Sequence, residues 1–198
     1  MTSPLTARDR AKAERADALR QEAAQLFAER GYSGVSLEDI GAAVGVSGPA
    51  VYRHFSGKQA LLGAVLVKVS EDLVLGGSAV ADDALQADER MHALIAFHVE
   101  FALGNAEVIR VHDRDLAHLS DEDRAAVRRL QREYISLWIS ALSPLCDAEP
   151  EEVRLRVQAC FGLINSTPHS TRSASRSTRA TAAILAGMAY AALLAPAA

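Results

Sequence analysis

A chain of 198 residues is long enough for one large or two small domains with a sizeable core. Its composition, 49% hydrophobic and 23% charged, is that of a globular protein and excludes a low-complexity or disordered chain. The formal charge of −4 argues against indiscriminate nucleic-acid binding, yet nine Lys/Arg face seven Asp/Glu up to Ser70 and twelve face eighteen beyond it, so a mildly basic end sits on an acidic body.

No apolar run follows a basic start, so no signal peptide is expected. The most apolar stretch, Ala180 to Ala195, is short for a bilayer span, and a cytoplasmic protein without membrane contact is expected. Cys146 and Cys160 then read as small buried hydrophobes in a reducing compartment.

Residues 1–8 read as a disordered arm. A helix follows from Asp9 to Arg30, with Ala16, Leu19, Ala23, Leu26 and Phe27 on its inner face and Gly31 as its stop. Arg8, Arg10 and Lys12 form a basic cluster that reads either as a solvated helix start or as an arm for an adjacent minor groove. Ser36 with Asp39 makes an acidic capping box for a short helix carrying Leu37, Ile40 and Val44, and Gly45 ends it. Ser47 caps a second short helix with Pro49 in its first turn, while Val51 and Phe55 point inward. Ser56 and Gln59 read as a further capping box, with Lys58 in the first turn of the next helix.

Two features of this stretch are poor choices for stability alone. Lys58 at a helix N-terminus opposes the macrodipole. The outward face of the second helix is small at Gly48 and Ala50, then aromatic and basic at Tyr52, Arg53 and His54. Both suit a polyanion against this surface: Lys58, Tyr52 and His54 would hold phosphates, while Ser47 and Arg53 would reach base edges. Gly48, Pro49 and Ala50 would let the helix start enter a major groove closely. The arrangement is a helix-turn-helix with its second helix as reader, and Ser36 joins these residues as a DNA-facing candidate.

Leu61, Leu62, Val65, Leu66, Val69 and Leu73 continue a long fourth helix up to Gly76-Gly77, which reads as a break or hinge. A fifth helix carries Met91, Leu94, Ile95, His98, Phe101 and Ala102; a short sixth runs from about Ala106 toward Leu119. Ser120 caps a seventh with Val127, Leu130, Tyr134, Leu137, Trp138 and Ala141 inward. An eighth starts at Glu149–Glu152, carries Val153, Val157, Cys160, Phe161 and Ile164, and stops at Pro168. A Ser/Thr/Arg loop over 169–178 leads to a last helix, Arg179 to Ala195. The expected fold class is therefore all-α, with about nine helices.

His92, His98, His112, Asp113, Asp115 and His118 lack the spacing of a zinc site, so no metal and no cofactor is expected. No phosphate loop, nucleophile elbow or acid–base pair is legible, which excludes the common enzyme classes. A pocket between helices is the more natural site, built from Phe97, Phe101, Tyr134, Trp138 and Phe161, with Arg110 or Arg114 holding an anionic head group. The alternative is that these arginines pair with Asp113, Asp115 and the charges of the seventh helix.

The run FAERGYSGVSLEDIGAAVGVSGPAVYRHFSGKQALLGAVL resembles the DNA-binding domain of the tetracycline-repressor (TetR) family, over about Leu19 to Leu66. The resemblance implies a three-helix DNA-binding domain over 9–70, with the helix-turn-helix at about 36–55, and a ligand-binding and dimerisation domain over 71–198. It implies a homodimer on a palindromic operator, released by a small effector that moves the fourth helix. The last two helices look like the four-helix interface by which such proteins dimerise, here through Val157, Phe161, Ile184, Gly187, Met188 and Ala191; the alternative is that they close the monomer core. RDLAHL and FGLINSTPHS are similar to stretches of an actinobacterial subgroup linked to acyl-CoA and branched-chain catabolism, which implies an acyl-CoA or fatty-acid effector. An activator of the same fold, or a small helical binding protein or enzyme without DNA binding, stands as the alternative.

Overall fold

In the computed structural model, which describes residues 6–82, 84–170 and 179–196, every regular element is helical. Helix α1 (Ala7–Arg30) starts earlier than its periodicity suggests, because Thr6 closes a capping box with Asp9. The expected arm therefore loses Thr6, Ala7 and Arg8 to the helix and its cap, and residues 1–5 lie outside the described residues. Gly31, at φ 79°, ends α1 with its N–H on Phe27 O.

Helix α2 (Leu37–Ala43) has the expected box: Asp39 N–H donates to Ser36 Oγ at 3.1 Å and Ser36 N–H to the Asp39 carboxylate at 2.8 Å. Those bonds hold the Asp39 carboxyl below its usual range. Gly45 turns the chain at φ 70° into α3 (Gly48–Val51). Ser47 occupies the cap position of α3 without a side-chain bond. Gly41 lets α2 and α3 close up, since a Cβ there would lie 2.9 Å from Val51 Cγ2.

Helix α4 (Lys58–Val80) departs from expectation twice. Its cap is Gly57, with no side-chain bond, so the Ser56–Gln59 box does not form; Gln59 instead donates to His118 O at 3.0 Å. Nor do Gly76 and Gly77 break it. They lie inside the helix, where a Cβ would meet the Phe97 ring at 2.3 Å and the Tyr134 ring at 2.5 Å. The absent side chains are room for rings from neighbouring helices.

The body comprises α5 (Ala87–Gly104), α6 (Ala106–Asp115) with a 3₁₀ turn at Leu116–His118, and α7 (Asp121–Leu142), capped by Ser120. It continues through α8 (Pro150–Asn165), the single turn α9 (Thr167–Ser170) and α10 (Arg179–Leu193). Pro168 falls within α9 rather than ending α8, and the Ser/Thr/Arg loop lies outside the described residues over 171–178.

Two cores result. The first gathers Phe27, Ile40, Val51, Phe55 and Leu62 of the N-terminal helices, but also Val111, Leu119 and Val127. The core around the reader is therefore closed by α6 and α7, and α4 crosses position 70 without interruption. The second core holds Met91, Ile95, Trp138, Val157, Ile164 and Leu193. None of the described helices is long and apolar enough to cross a membrane.

On the outer side of α8 and α10 the sequence expectation is half corrected. Val157 is fully buried in its own subunit and Phe161 packs into the same core, so neither faces outward. Ile184 (62% exposed), Met188 (52%), Gly187 and Ala191 do lie outside, joined by Leu155 (64%), Ala159 and Gly162 of α8. The apolar face expected of an interface exists, phased differently on α8.

Candidate functional site

Helix α3 is only one turn long, so its aim is set from beneath: Val51 is fully buried, Phe55 nearly so, and Val46 N–H bonds Gly41 O at 2.8 Å. Ser47, Pro49, Tyr52 and Arg53 are exposed, while Gly48, Ala50 and His54 sit half-buried along the flank. Ser36 is held in its capping box. The structure also brings in residues from the first helix, far earlier in the chain. Arg8, Asp9, Lys12 and Arg15 of α1 line one groove with Arg53 and His54. Burial lowers the His54 pKa, and the charges of Lys12, Arg53 and Arg15 lower it further. The cations outnumber the one carboxylate of this groove, which makes it a candidate anion site beside the reader helix. Arg15 escaped the sequence reading because nothing local marks it as facing α3.

Lys58 is placed differently from expectation. Its ammonium donates to Tyr32 O (2.8 Å) and Val35 O (2.7 Å) and lies 4.5 Å over the Tyr32 ring. Two of its three donors are spent clasping α4 to the α1–α2 connection, which also relieves the macrodipole conflict. Lys58→Ala is therefore expected to lower thermal stability as well as DNA affinity, by about 1–3 kcal/mol for the charged bonds lost; unchanged melting would return Lys58 to a pure phosphate role.

A second contact joins reader and body. The Arg114 guanidinium reaches Phe27 O and Ala28 O at the C-terminal end of α1, while gripping both oxygens of Asp115 at 3.2 and 3.0 Å. A cation on the last carbonyls of a helix is favourably placed. Beside it, His118 stacks on Tyr32 with centroids 4.5 Å apart. The α6 end and its 3₁₀ turn thus touch α1, the Tyr32 loop and Gln59 of α4 together.

Within the body a cavity of about 100 Å³ lies among α4, α5, α6, α7 and the end of α8. Its apolar wall includes Val69, Leu73, Phe101, Ile109 and Leu130, and its polar groups are His98, His112, Asp113, Gln131, Tyr134 and Asn165. Of the residues expected here, Phe101 and Tyr134 line it. Trp138 and Phe161 stand behind, in an aromatic cluster around His98, with Phe161 centred 4.8 Å from both His98 and Trp138. Phe97 packs on Gly76 instead. Neither Arg110 nor Arg114 lines the cavity, so the anionic-head expectation loses its cations; Arg114 is engaged at α1.

His98 is 3% exposed, and burial pushes its pKa down to about 4. Tyr134 OH lies 3.3 Å from His98 Nδ1, and burial keeps its phenol protonated. The remaining histidines scatter: His92 stacks on Tyr190, His112 pairs with Gln131 at 2.6 Å, and His169 meets Asp113 at 3.2 Å. Among the described residues no group of His, Cys, Asp or Glu is arranged to hold a metal ion.

Comparison with known proteins agrees with both halves of this architecture. Residues 19–65 match the family model "Bacterial regulatory proteins, tetR family", and residues 84–169 match a tetracyclin repressor-like C-terminal domain. The HTH-type transcriptional repressor KstR2 of Rhodococcus jostii is 26% identical over 143 residues, covering 72% of this chain and 70% of that one. The repressor DhaR of Mycobacterium sp. GP1 is 32% identical over 58% of this chain and 59% of its own length. Among solved structures, AibR in complex with isovaleryl coenzyme A and operator DNA superposes with a TM-score of 0.72 at 25% identity, covering 92% of this chain and all of that one.

Proposed function

Because the chain belongs to the tetR family of bacterial regulatory proteins, which makes it a DNA-binding transcriptional regulator and not an enzyme, we propose that it is a homodimeric repressor that occupies a palindromic operator and is released by a small effector. The observation that carries the DNA half is the convergence of Arg8, Lys12 and Arg15 on Arg53 and His54 beside the exposed face of the reader helix. Arg53 is assigned to base edges and the α1 cations to phosphates. Arg53→Ala is then expected to lower operator affinity by roughly 1–3 kcal/mol and relax specificity at one position. Arg15→Ala should weaken all sequences alike and flatten the salt slope by about one phosphate. Anisotropy titrations against operator and scrambled duplexes separate the two, and equal losses on both duplexes for Arg53→Ala would sink its role as a reader. An operator as partner supports a cytoplasmic location.

The effector half rests on the cavity and on what surrounds it. The cavity walls include Val69 and Ser70 of α4 and His112 of α6, the two helices that support the reader. An occupant that prefers one spacing of α4 and α6 would shift the reader helices through Arg114 and the Lys58 clasp. Half-sites recur at about 34–36 Å, so a few ångströms of mismatch releases one of them. AibR's isovaleryl coenzyme A supports an acyl-CoA or fatty-acid effector by likeness. No Lys or Arg among the described residues lines the cavity, however, and Asp113 does, so whatever part of the ligand enters it is not anionic.

Arg114 is the testable joint. Asp115 is 3% exposed and Arg114 is its ion-pair partner, so Arg114→Ala is expected to cost about 2 kcal/mol, below the range for fully buried pairs because the guanidinium reaches solvent. Adding Asp115→Asn should recover most of the stability. If the contact positions the reader, this double variant still binds operator about tenfold more weakly, whereas full recovery of affinity would make the contact merely structural.

A further inference from the structure

The cavity holds two buried polar atoms that nothing in the chain satisfies. His98 Nε2 and Asn165 Oδ1 are both sealed from solvent, and neither has a hydrogen-bond partner. Both side chains belong to the cavity wall. They also lie beside one another: a side-chain contact with Asn165 raises the basicity of the imidazole against the larger lowering by burial, but no hydrogen bond of good geometry closes between them. Native proteins rarely leave such groups unpaired, and those left so often mark a missing ligand.

The chemistry of the two atoms is complementary. The Tyr134 phenol keeps its proton and can donate it to His98 Nδ1, 3.3 Å away, which leaves the hydrogen of the neutral imidazole on Nε2. An amide oxygen next to Nε2 favours that same tautomer. His98 then presents a buried N–H, and Asn165 a buried acceptor, without closing on each other. One oxygen that accepts and donates at once would satisfy both. A hydroxyl does this. A ketone would serve His98 alone, and a carboxylate would face Asn165 Oδ1 and the Asp113 carboxylate with no cation to balance it. Val69, Leu73, Phe101, Val108, Ile109 and Leu130 make the apolar part of the wall, and its other polar residues, Ser70, His112, Asp113 and Gln131, already have partners in the chain.

We propose that the cavity recognises an uncharged, largely apolar molecule through a hydroxyl group that accepts from His98 Nε2–H and donates to Asn165 Oδ1. This rests on the reading of the cavity as the effector site and gives that site a chemical class: alcohols, or the hydroxylated end of a longer molecule. Entry needs a small rotation of the two side chains, because neither polar atom is exposed in the empty cavity. Binding then gains two hydrogen bonds, and because Val69 and Ser70 of α4 and His112 of α6 share the wall, an occupant that makes them better at one spacing of these helices has the differential affinity an effector requires. His98 is suited to the task because it stays neutral at pH 7, so no counter-ion is called for.

The test is calorimetric titration of the full chain with 1-hexanol and cyclohexanol, with 2-hexanone and cyclohexanone, and with hexanoate, read beside operator release by anisotropy. The expected result is alcohol binding at least tenfold tighter than the ketone of the same skeleton, with no measurable binding of hexanoate. Asn165→Ala should cut the alcohol-over-ketone preference below threefold. His98→Phe forces a larger ring into a buried, packed site, so the wild-type imidazole is followed instead by nitrogen-15 NMR, where the Nε2 resonance should move with alcohol and not with ketone. Equal binding of alcohols and ketones, tighter binding of hexanoate, binding of none of the probes, or a preference that survives Asn165→Ala would each overturn the proposal; in the first case a resident water is the natural bridge. Alcohol binding without operator release would keep the hydroxyl site and remove its role as effector site. Operator release by hexanoate alone would keep an effector site and overturn the hydroxyl.

Discussion

Replacing Ile184 and Met188 together by aspartate is expected to leave a folded monomer that no longer holds its operator. Both side chains are more than half exposed within one subunit, so two carboxylates there meet water and change monomer stability by no more than about 1 kcal/mol. In the proposed dimer the same positions lie on the apolar face formed with Leu155, Gly162, Gly187 and Ala191, where four unpaired carboxylates across a two-fold axis cannot be desolvated. Losing the second half-site removes the avidity of a paired reader, a factor of about 10²–10⁴. Sedimentation velocity and operator anisotropy measure both consequences. A double variant that stays dimeric would move the interface elsewhere, and a wild-type chain that sediments as a monomer would remove it.

Acid should destabilise the protein through His98 before most carboxylates matter. Its folded pKa of about 4 lies below the ordinary 6.5, so the unfolded chain binds a proton over that window that the folded one refuses. Stability is unaffected by this group above about pH 6.5 and falls as pH drops through the window, reaching a loss of roughly 3 kcal/mol near pH 4. His98→Gln removes the titration while keeping a polar side chain. Denaturant titrations of the two proteins from pH 7 to 4 should converge as pH falls, with wild type showing the steeper loss. Parallel curves would mean that the imidazole accepts its proton in the folded state.

Local chemistry was the legible part. Ser36 with Asp39, Gly31, Gly45, Pro49 and the buried pair Val51 and Phe55 follow from contacts three or four residues apart, and all occur as read. The reader helix and its family were visible because that motif is built almost entirely of such short-range signals. Errors began where one local signal fits two tertiary outcomes. Gly76-Gly77 looks the same whether it breaks a helix or admits the Phe97 and Tyr134 rings, and the rings come from α5 and α7. The small shift in phase that turns Leu155 rather than Val157 outward depends on how α8 rolls against the core.

By itself, then, the sequence determined the class of the protein, its all-helical elements and the face proposed to meet DNA, because capping, periodicity and turn chemistry act within a few residues. The tertiary structure alone decided what its charges do. Lys58 was drawn from phosphate to the carbonyls of Tyr32 and Val35, Arg114 from a ligand to the end of α1, and Arg15 to the side of α3. It also left the cavity without a cation and with His98 and Asn165 unsatisfied. A long charged side chain finds its partner by distance in space, across separations such as the 87 residues between Arg114 and Phe27, and no local pattern records that.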